Sequence, residues 1–277
     1  MYPYLQIGQR AVSSYQACLM LAFAVCAYLL FHAPLPARQR PLRINVTVLI
    51  PVLLCSLTGT KFLSVAVEGG RIGEAFLFWR GGYYHHGGLL GGIAGYAVYL
   101  WAKGNGIRDG LDWVAPFAPL GESIARIGCF LGGCCWGAES QALTAVVYPA
   151  QSHAWTHHVI TGRLHPSATH SLPVHPAPLY AALVMLSLFI GLRLLQQRAG
   201  FSGEVSLHYL LWHSLARIGL EHFRDDMTRL ATGYTLTQTL AAAIAVAAAA
   251  VLLRQYARNA TYSPLRPTGA QPQEDTG

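Results

Sequence analysis

The chain has 277 residues, of which 53% are hydrophobic and only 11% charged, against roughly a quarter charged in ordinary globular chains. So few charges cannot cover a soluble surface, and the formal net charge of +7 is scattered between apolar runs rather than gathered in a patch. This excludes a soluble nucleic-acid binder and points to membrane topology and anionic headgroups. A membrane helix needs about 20 mainly apolar residues. The runs that qualify are 15–33, 46–67, 86–103, 111–132, 177–195, 205–223 and 234–253. The expected fold is an all-α integral membrane protein of about seven transmembrane helices, with a larger outer-side loop between helices four and five.

The first run follows a polar segment with no small-residue cleavage site, so it reads as a membrane helix rather than a signal peptide. Tyr15, at its outer end, is an interfacial belt residue by default. Lys61 falls inside the second run. The first, fifth and last runs are plain lipid-facing helices by composition. The others carry Gly, Lys, Arg or His and are expected to face the protein interior or a wet cavity. Residues 1–258 form one transmembrane domain in this reading. The loop at about 138–175 holds His153, His157, His158, His165, His170 and His175. These are expected to be solvated, although the spacing of His153, His157 and His158 also suits a metal on a helix. The tail 259–277 is rich in Pro, Thr, Gln and Gly and reads as disordered.

Ten basic residues fall on one side of this topology: Arg38, Arg40, Arg43, Lys103, Arg108, Arg193, Arg198, Arg254, Arg258 and Arg266. Six fall on the other: Arg10, Arg71, Arg80, Arg163, Arg224 and Arg229. The positive-inside rule puts the ten in the cytoplasm, with the N-terminus outside and the C-terminus inside.

Three constellations carry chemistry. The first is Tyr83-Tyr84-His85-His86-Gly87-Gly88-Leu89-Leu90-Gly91-Gly92. An imidazole at the mouth of a span suits a general base near neutral pH, and the glycines allow close approach by a helix or a ligand. The equally simple reading is a snorkelling histidine with glycine-mediated helix packing. The second runs from Asp112 to Gly137, with Arg126 in the middle of a Gly-rich apolar stretch. A guanidinium there costs roughly 2.5–3.5 kcal/mol on insertion scales and must find a partner. A structural ion pair would serve; so would a phosphate, whose oxygens match the planar fork. The third is Arg217, Glu221 and Arg224, spaced to share one helix face. Together they make a pocket for an anion, unless Arg217 and Glu221 merely neutralise each other.

Of the six cysteines, Cys18, Cys26 and Cys55 lie in apolar runs as inert small hydrophobes. Cys129, Cys134 and Cys135 fall inside the second constellation. Their spacing is a poor zinc or redox signature, and no metal or cofactor is expected.

At these three constellations the sequence resembles the prolipoprotein diacylglyceryl transferase family, over about Tyr4 to Ala250. The family's His-Gly-Gly-Leu element looks like His86-Gly87-Gly88-Leu89. Its signature Gly-Arg-Ile-Gly-Asn-Phe-Ile-Asn-Gly-Glu-Leu-Trp-Gly looks like Ala125 through Gly137, with Arg126, Ile127, Gly128, Phe130, Gly133, Trp136 and Gly137 matching. Its late Arg-x-x-x-Glu-x-x-Arg element looks like Arg217, Glu221 and Arg224. Of the family's Arg-Trp-Tyr-Gly only Tyr15 carries over. A His-Pro element is partly kept at His175-Pro176 and Leu179-Tyr180. The departures are Cys129 and Gly132 for two asparagines, Cys134-Cys135 for Glu-Leu, Pro178 and Ala181 for Gln and Glu, and serines before Tyr15.

The resemblance implies a seven-helix bacterial inner-membrane enzyme without a cofactor. It would move diacylglyceryl from phosphatidylglycerol to the lipobox cysteine of a prolipoprotein, forming a thioether and releasing glycerol phosphate. His86, Arg126 and Arg217 would be catalytic. Arg126, Tyr15, Gly128, Gly137, Glu221 and Arg224 would bind substrate. Two other readings compete. One is a diverged paralogue that keeps the lipid donor but modifies a different acceptor. The other is a non-enzymatic lipid-binding or transport protein. One of the three clustered cysteines acting as a covalent nucleophile is disfavoured, because a thioether is too stable an intermediate.

Overall fold

The computed structural model describes residues 4–7, 10–32, 44–68, 73, 85–224 and 233–262. A short hairpin, β1 (Tyr4–Ile7) and β2 (Arg10–Ser13), pairs antiparallel with Tyr4 opposite Ser13. It was not foreseen in the polar segment before the first helix. The helices follow: α1 (Ser14–His32), α2 (Leu49–Glu68), α3 (His85–Ala102), α4 (Ile107–Val114), α5 (Phe117–Gly132), α6 (His153–Ile160), α7 (Ala177–Gln196), α8 (Glu204–Glu221) and α9 (Leu236–Tyr262).

Among the described residues, four helical segments are long and apolar enough to cross a membrane: Ser14–His32, Val46–Val67, Ala177–Gln196 and Leu236–Asn259. They leave much of their apolar surface uncovered. Met20, Val246 and Leu253 are each about 70% exposed, as suits side chains that face lipid. Of the other three expected spans, the third yields a shorter apolar stretch, Leu90–Ala102. The last helix, α9, runs past the expected end of its span at 253 to Tyr262, into the start of the expected tail; residues 263–277 lie outside the described residues.

The expected fourth span, 111–132, is two helices rather than one. Pro116 breaks it, having no N–H and a ring that clashes with the carbonyl four residues back. That carbonyl belongs to Asp112, and it accepts instead from Gln196 Nε2 at 2.8 Å. The Asp112 carboxylate accepts from the Gly203 and Ser206 amides at 2.7 and 2.8 Å, capping the first turn of α8 from another helix. One break thereby ties α4, α7 and α8 together. Gln196→Leu is expected to strand a buried carbonyl and cost about 1–3 kcal/mol. Thermal unfolding in detergent would show a lowered midpoint; an unchanged one would mean that the carbonyl has found another donor.

The helices pack in a chain: α1 on α5, α5 on α7, α7 on α8 and α8 on α9, with α2 and α3 as a tight pair joined to α8 through α4. The pair is tight because Gly87, Gly91 and Gly95 recur every fourth residue along one face of α3. A Cβ at Gly91 would lie 2.0 Å from the Cys55 carbonyl oxygen, and one at Gly87 would lie 2.2 Å from that of Gly59. These glycines therefore serve backbone-to-backbone helix packing.

Candidate functional site

Arg126 projects from α5 and pairs with Glu122, one turn earlier, through Nη2 at 2.9 Å and Nε at 3.3 Å. Glu122 is held from its other oxygen by His213 Nε2 of α8, at 2.9 Å. Arg217, one turn beyond His213, pairs with Glu221 at 3.2 Å. Glu221 is 2% exposed and also accepts from Thr235 Oγ1 at 3.1 Å. The Arg217–Glu221 pair read from the sequence is thus formed, and Arg126 has its structural partner in Glu122.

Arg126, Arg217 and Arg224 line one small cavity together with Cys135, Ala177, Pro178, Ala181 and Leu220. Its volume is about 10 Å³, room for roughly one water. Glu122 and Glu221 offset the charge of two of them, and gathered guanidiniums in a partly buried space favour a further anion.

Arg224 is placed by backbone pairing. Residue 137 bridges residue 224 in antiparallel fashion. The Gly137 N–H donates to the His175 carbonyl at 2.9 Å, and the Ala138 N–H donates to that of Phe223 at 2.7 Å. A Cβ on Gly137 would lie 2.5 Å from the Phe223 oxygen and 2.8 Å from that of His175. Gly137 is therefore the point where the long loop, the start of α7 and the end of α8 meet. The rings of His175, Tyr180 and Phe223 surround this junction, with centroids 5.5 to 6.0 Å apart.

Gly128 does similar work for α1. A Cβ there would lie 2.7 Å from that of Cys18 and 3.1 Å from the Tyr15 Cα. Tyr15 does not line the arginine cavity. It lines a second cavity of about 440 Å³, with Ser13, Gly132, Cys134 and the 149–153 segment. A third cavity, of about 360 Å³, is apolar and lies among Leu30, Val52, Ile93, Tyr96 and Leu111. His86 falls in the first turn of α3; its side chain and that of His85 lie outside the described part of the structure, as does the Tyr83-Tyr84 pair.

The loop 138–175 is organised around a small core of Trp136, Tyr148, Ala154 and Val174. Its histidines are not all solvated, contrary to expectation. His158 is 1% exposed and accepts the Leu172 N–H at 3.3 Å. His157 packs on Trp136 at 5.4 Å. His153, His165 and His170 are exposed. Among the described residues the histidines form no metal-ligating group; Cys129, Cys134 and Cys135 do, with all three Sγ atoms within 4.8 Å of one another.

Sequence reasoning missed Glu122 and His213. The spacing of Glu122 from Arg126 was a readable signal. His213 was not readable, being 91 residues from its partner.

The chain is 32% identical over 184 residues to the phosphatidylglycerol–prolipoprotein diacylglyceryl transferase of Methylibium petroleiphilum, covering 64% of this chain and 63% of the relative. The chain thus spans a little under two thirds of that relative's length in the match. The enzyme of the same name from Paracidovorax citrulli is 30% identical over 289 residues, covering 93% of this chain and 97% of the relative. That from Burkholderia orbicola is 30% identical over 224 residues, with 70% and 75% covered. The family model for prolipoprotein diacylglyceryl transferase matches residues 3–254, and the chain belongs to that family.

Proposed function

We propose that this protein transfers the diacylglyceryl group of phosphatidylglycerol to the lipobox cysteine thiol of prolipoproteins. The observation that carries the reading is the convergence of Arg126, Arg217 and Arg224 on one cavity, with Glu122 and Glu221 holding two of them in place. Planar guanidiniums bind phosphate oxygens through paired hydrogen bonds. The cavity is closed down around them, so the donor phosphate would exchange for contacts among these side chains rather than fill an open hole. The apolar cavity among Leu30, Val52 and Ile93 suits an acyl chain.

The reaction needs a thiolate and a stabilised leaving group. The acceptor thiol must lose its proton, because the thiolate is the nucleophile. His86 is assigned to that proton. The thiolate attacks the glycerol carbon that bears the phosphate, and the C–O bond breaks with its electron pair on the phosphate oxygen. Arg126 and Arg217 stabilise that developing charge, as preorganised donors in a water-poor site do. Tyr15, Gly128, Gly137, Glu221 and Arg224 shape the donor site.

Seven crossings are proposed, with α3, α5 and α8 completing the four long apolar helices within one domain through residue 258. The loop 138–175 and the N-terminus lie outside the bacterial inner membrane and the C-terminus lies in the cytoplasm. Family membership favours this reading over a changed acceptor or a non-enzymatic carrier.

The test is transfer of labelled diacylglyceryl from phosphatidylglycerol to a lipobox peptide by the purified protein in detergent. Thioether-linked product with release of glycerol phosphate is expected. A folded protein that binds phosphatidylglycerol and yields no product with this peptide would overturn the assignment of the acceptor.

A further inference from the structure

The thiols of Cys129, Cys134 and Cys135 come together by construction of the chain. Cys129 lies in the last turn of α5, which ends at Gly133 with φ of +72°. The Gly133 N–H donates to the Phe130 carbonyl at 3.3 Å and the Cys134 N–H to that of Cys129 at 3.1 Å. Cys135 then takes a left-handed backbone, φ +58°, a conformation that a non-glycine residue rarely adopts and that recurs at ligand clamps. These turns fold the Cys134-Cys135 pair back over the helix end. All three Sγ atoms lie within 4.8 Å of one another. Tetrahedral thiolate ligation at about 2.3 Å places sulfurs about 3.8 Å apart, within reach of small side-chain rotations.

Two further observations bear on a ligand. The Tyr148 hydroxyl is fully buried and has no hydrogen-bond partner among the described residues. Its ring packs on the turn that carries the thiols, where a Cβ on Gly133 would lie 3.2 Å from the Tyr148 Cδ1, so this turn has a buried donor left without an acceptor beside it. Cys135 also lines one cavity with Arg224 and Arg126. Three thiolates on a divalent ion carry one net negative charge, and those guanidiniums compensate it.

We propose that Cys129, Cys134 and Cys135 form a three-thiolate site for a thiophilic d10 metal ion such as Zn(II), with its fourth position open to an exogenous thiol. Three protein ligands and one open position is the pattern of reactive rather than structural zinc. The sulfurs border two cavities: Cys135 lines the arginine cavity, and Cys134 lines the 440 Å³ cavity beside Tyr15. An acceptor thiol entering from the larger cavity would meet the metal within reach of the phosphate site.

The role in catalysis rests on the transferase reading; the metal site stands on the geometry alone. In that role the acceptor S–H gives its proton to the general base as its sulfur binds the metal. A C–S bond then forms, the C–O bond to phosphate breaks, and the electron pair leaves on the phosphate oxygen. Nothing is oxidised or reduced.

The experiment uses the full chain, purified in detergent under reducing conditions, loaded with Zn(II) and freed of excess metal by gel filtration. About one zinc per chain is expected. Iodoacetamide followed by mass spectrometry should find Cys129, Cys134 and Cys135 protected and released together by a chelator. Cys134→Ser should retain at least tenfold less zinc. Co(II) in place of zinc should give a thiolate charge-transfer band that shifts when a small thiol is added. The site is overturned if the reduced, folded protein retains no zinc and all three cysteines are alkylated, or if two of them remain a disulfide that excludes zinc. Chelated protein should lose transfer while phosphatidylglycerol binding persists, whereas Arg126→Ala should lose transfer while zinc persists. Zinc retained without any transfer would sink the transferase reading and leave the metal site standing. Transfer at full rate after chelation would remove the metal from catalysis.

Discussion

Replacing Arg126 by alanine is expected to lower diacylglyceryl transfer by about 10²–10³-fold, the loss seen when one preorganised donor to a developing oxyanion is removed. The guanidinium is held by Glu122 at 2.9 Å and opens on the cavity that Arg217 and Arg224 share. Arg126→Lys should not restore the rate, because an ammonium cannot span two phosphate oxygens as the planar fork does. Both variants leave α5 a good helix former, so fold should persist by circular dichroism and gel filtration. Removing the arginine leaves Glu122 with His213 as its remaining partner, which limits the structural damage. Initial rates at saturating phosphatidylglycerol would decide the point. A rate within threefold of wild type would place the phosphate elsewhere.

Gly137→Val is expected to damage stability and donor binding together. Its side chain would start 2.5 Å from the Phe223 oxygen and 2.7 Å from the His175 Cβ. Two of the three nearest atoms are backbone, so no rotamer change relieves the clash. Overpacking of this kind costs about 1–3 kcal/mol and sometimes more. The bridge between residues 137 and 224 would open, and Arg224 would leave the arginine cavity. The midpoint of thermal unfolding should fall, and KM for phosphatidylglycerol should rise more than kcat falls. Gly137→Ala should show the same changes, smaller. A valine variant with wild-type melting and KM would mean that the junction is loose enough to part without moving Arg224.

Much of the membrane character was legible in the chain. Apolar runs of about 20 residues are set by composition, and α1, α2, α7 and α9 lie where those runs predicted. The i, i+4 pair of Arg217 and Glu221 could be read as well, since helix geometry alone brings such residues together. The glycines after His86 were read as permitting close approach, and they proved to seat α3 on α2.

Other features depended on contacts that no local pattern carries. The helix break at Pro116 was written in the sequence, yet its repair was not. The freed Asp112 carbonyl finds Gln196, 84 residues away. The hold of His213 on Glu122, and the convergence of Arg126 with Arg217 and Arg224, depend on how α5 and α8 pack beside α7. The cysteines are the sharpest case. Their spacing matches no familiar ligand signature, because signatures encode common turns. Here the left-handed residues Gly133 and Cys135 make an uncommon one. Local chemistry and periodicity thus determined which segments are helical and which residues carry charge. The tertiary structure alone decided which of those charges and thiols share a cavity, because that depends on long-range packing and on backbone turns whose energies are met by neighbours distant in sequence.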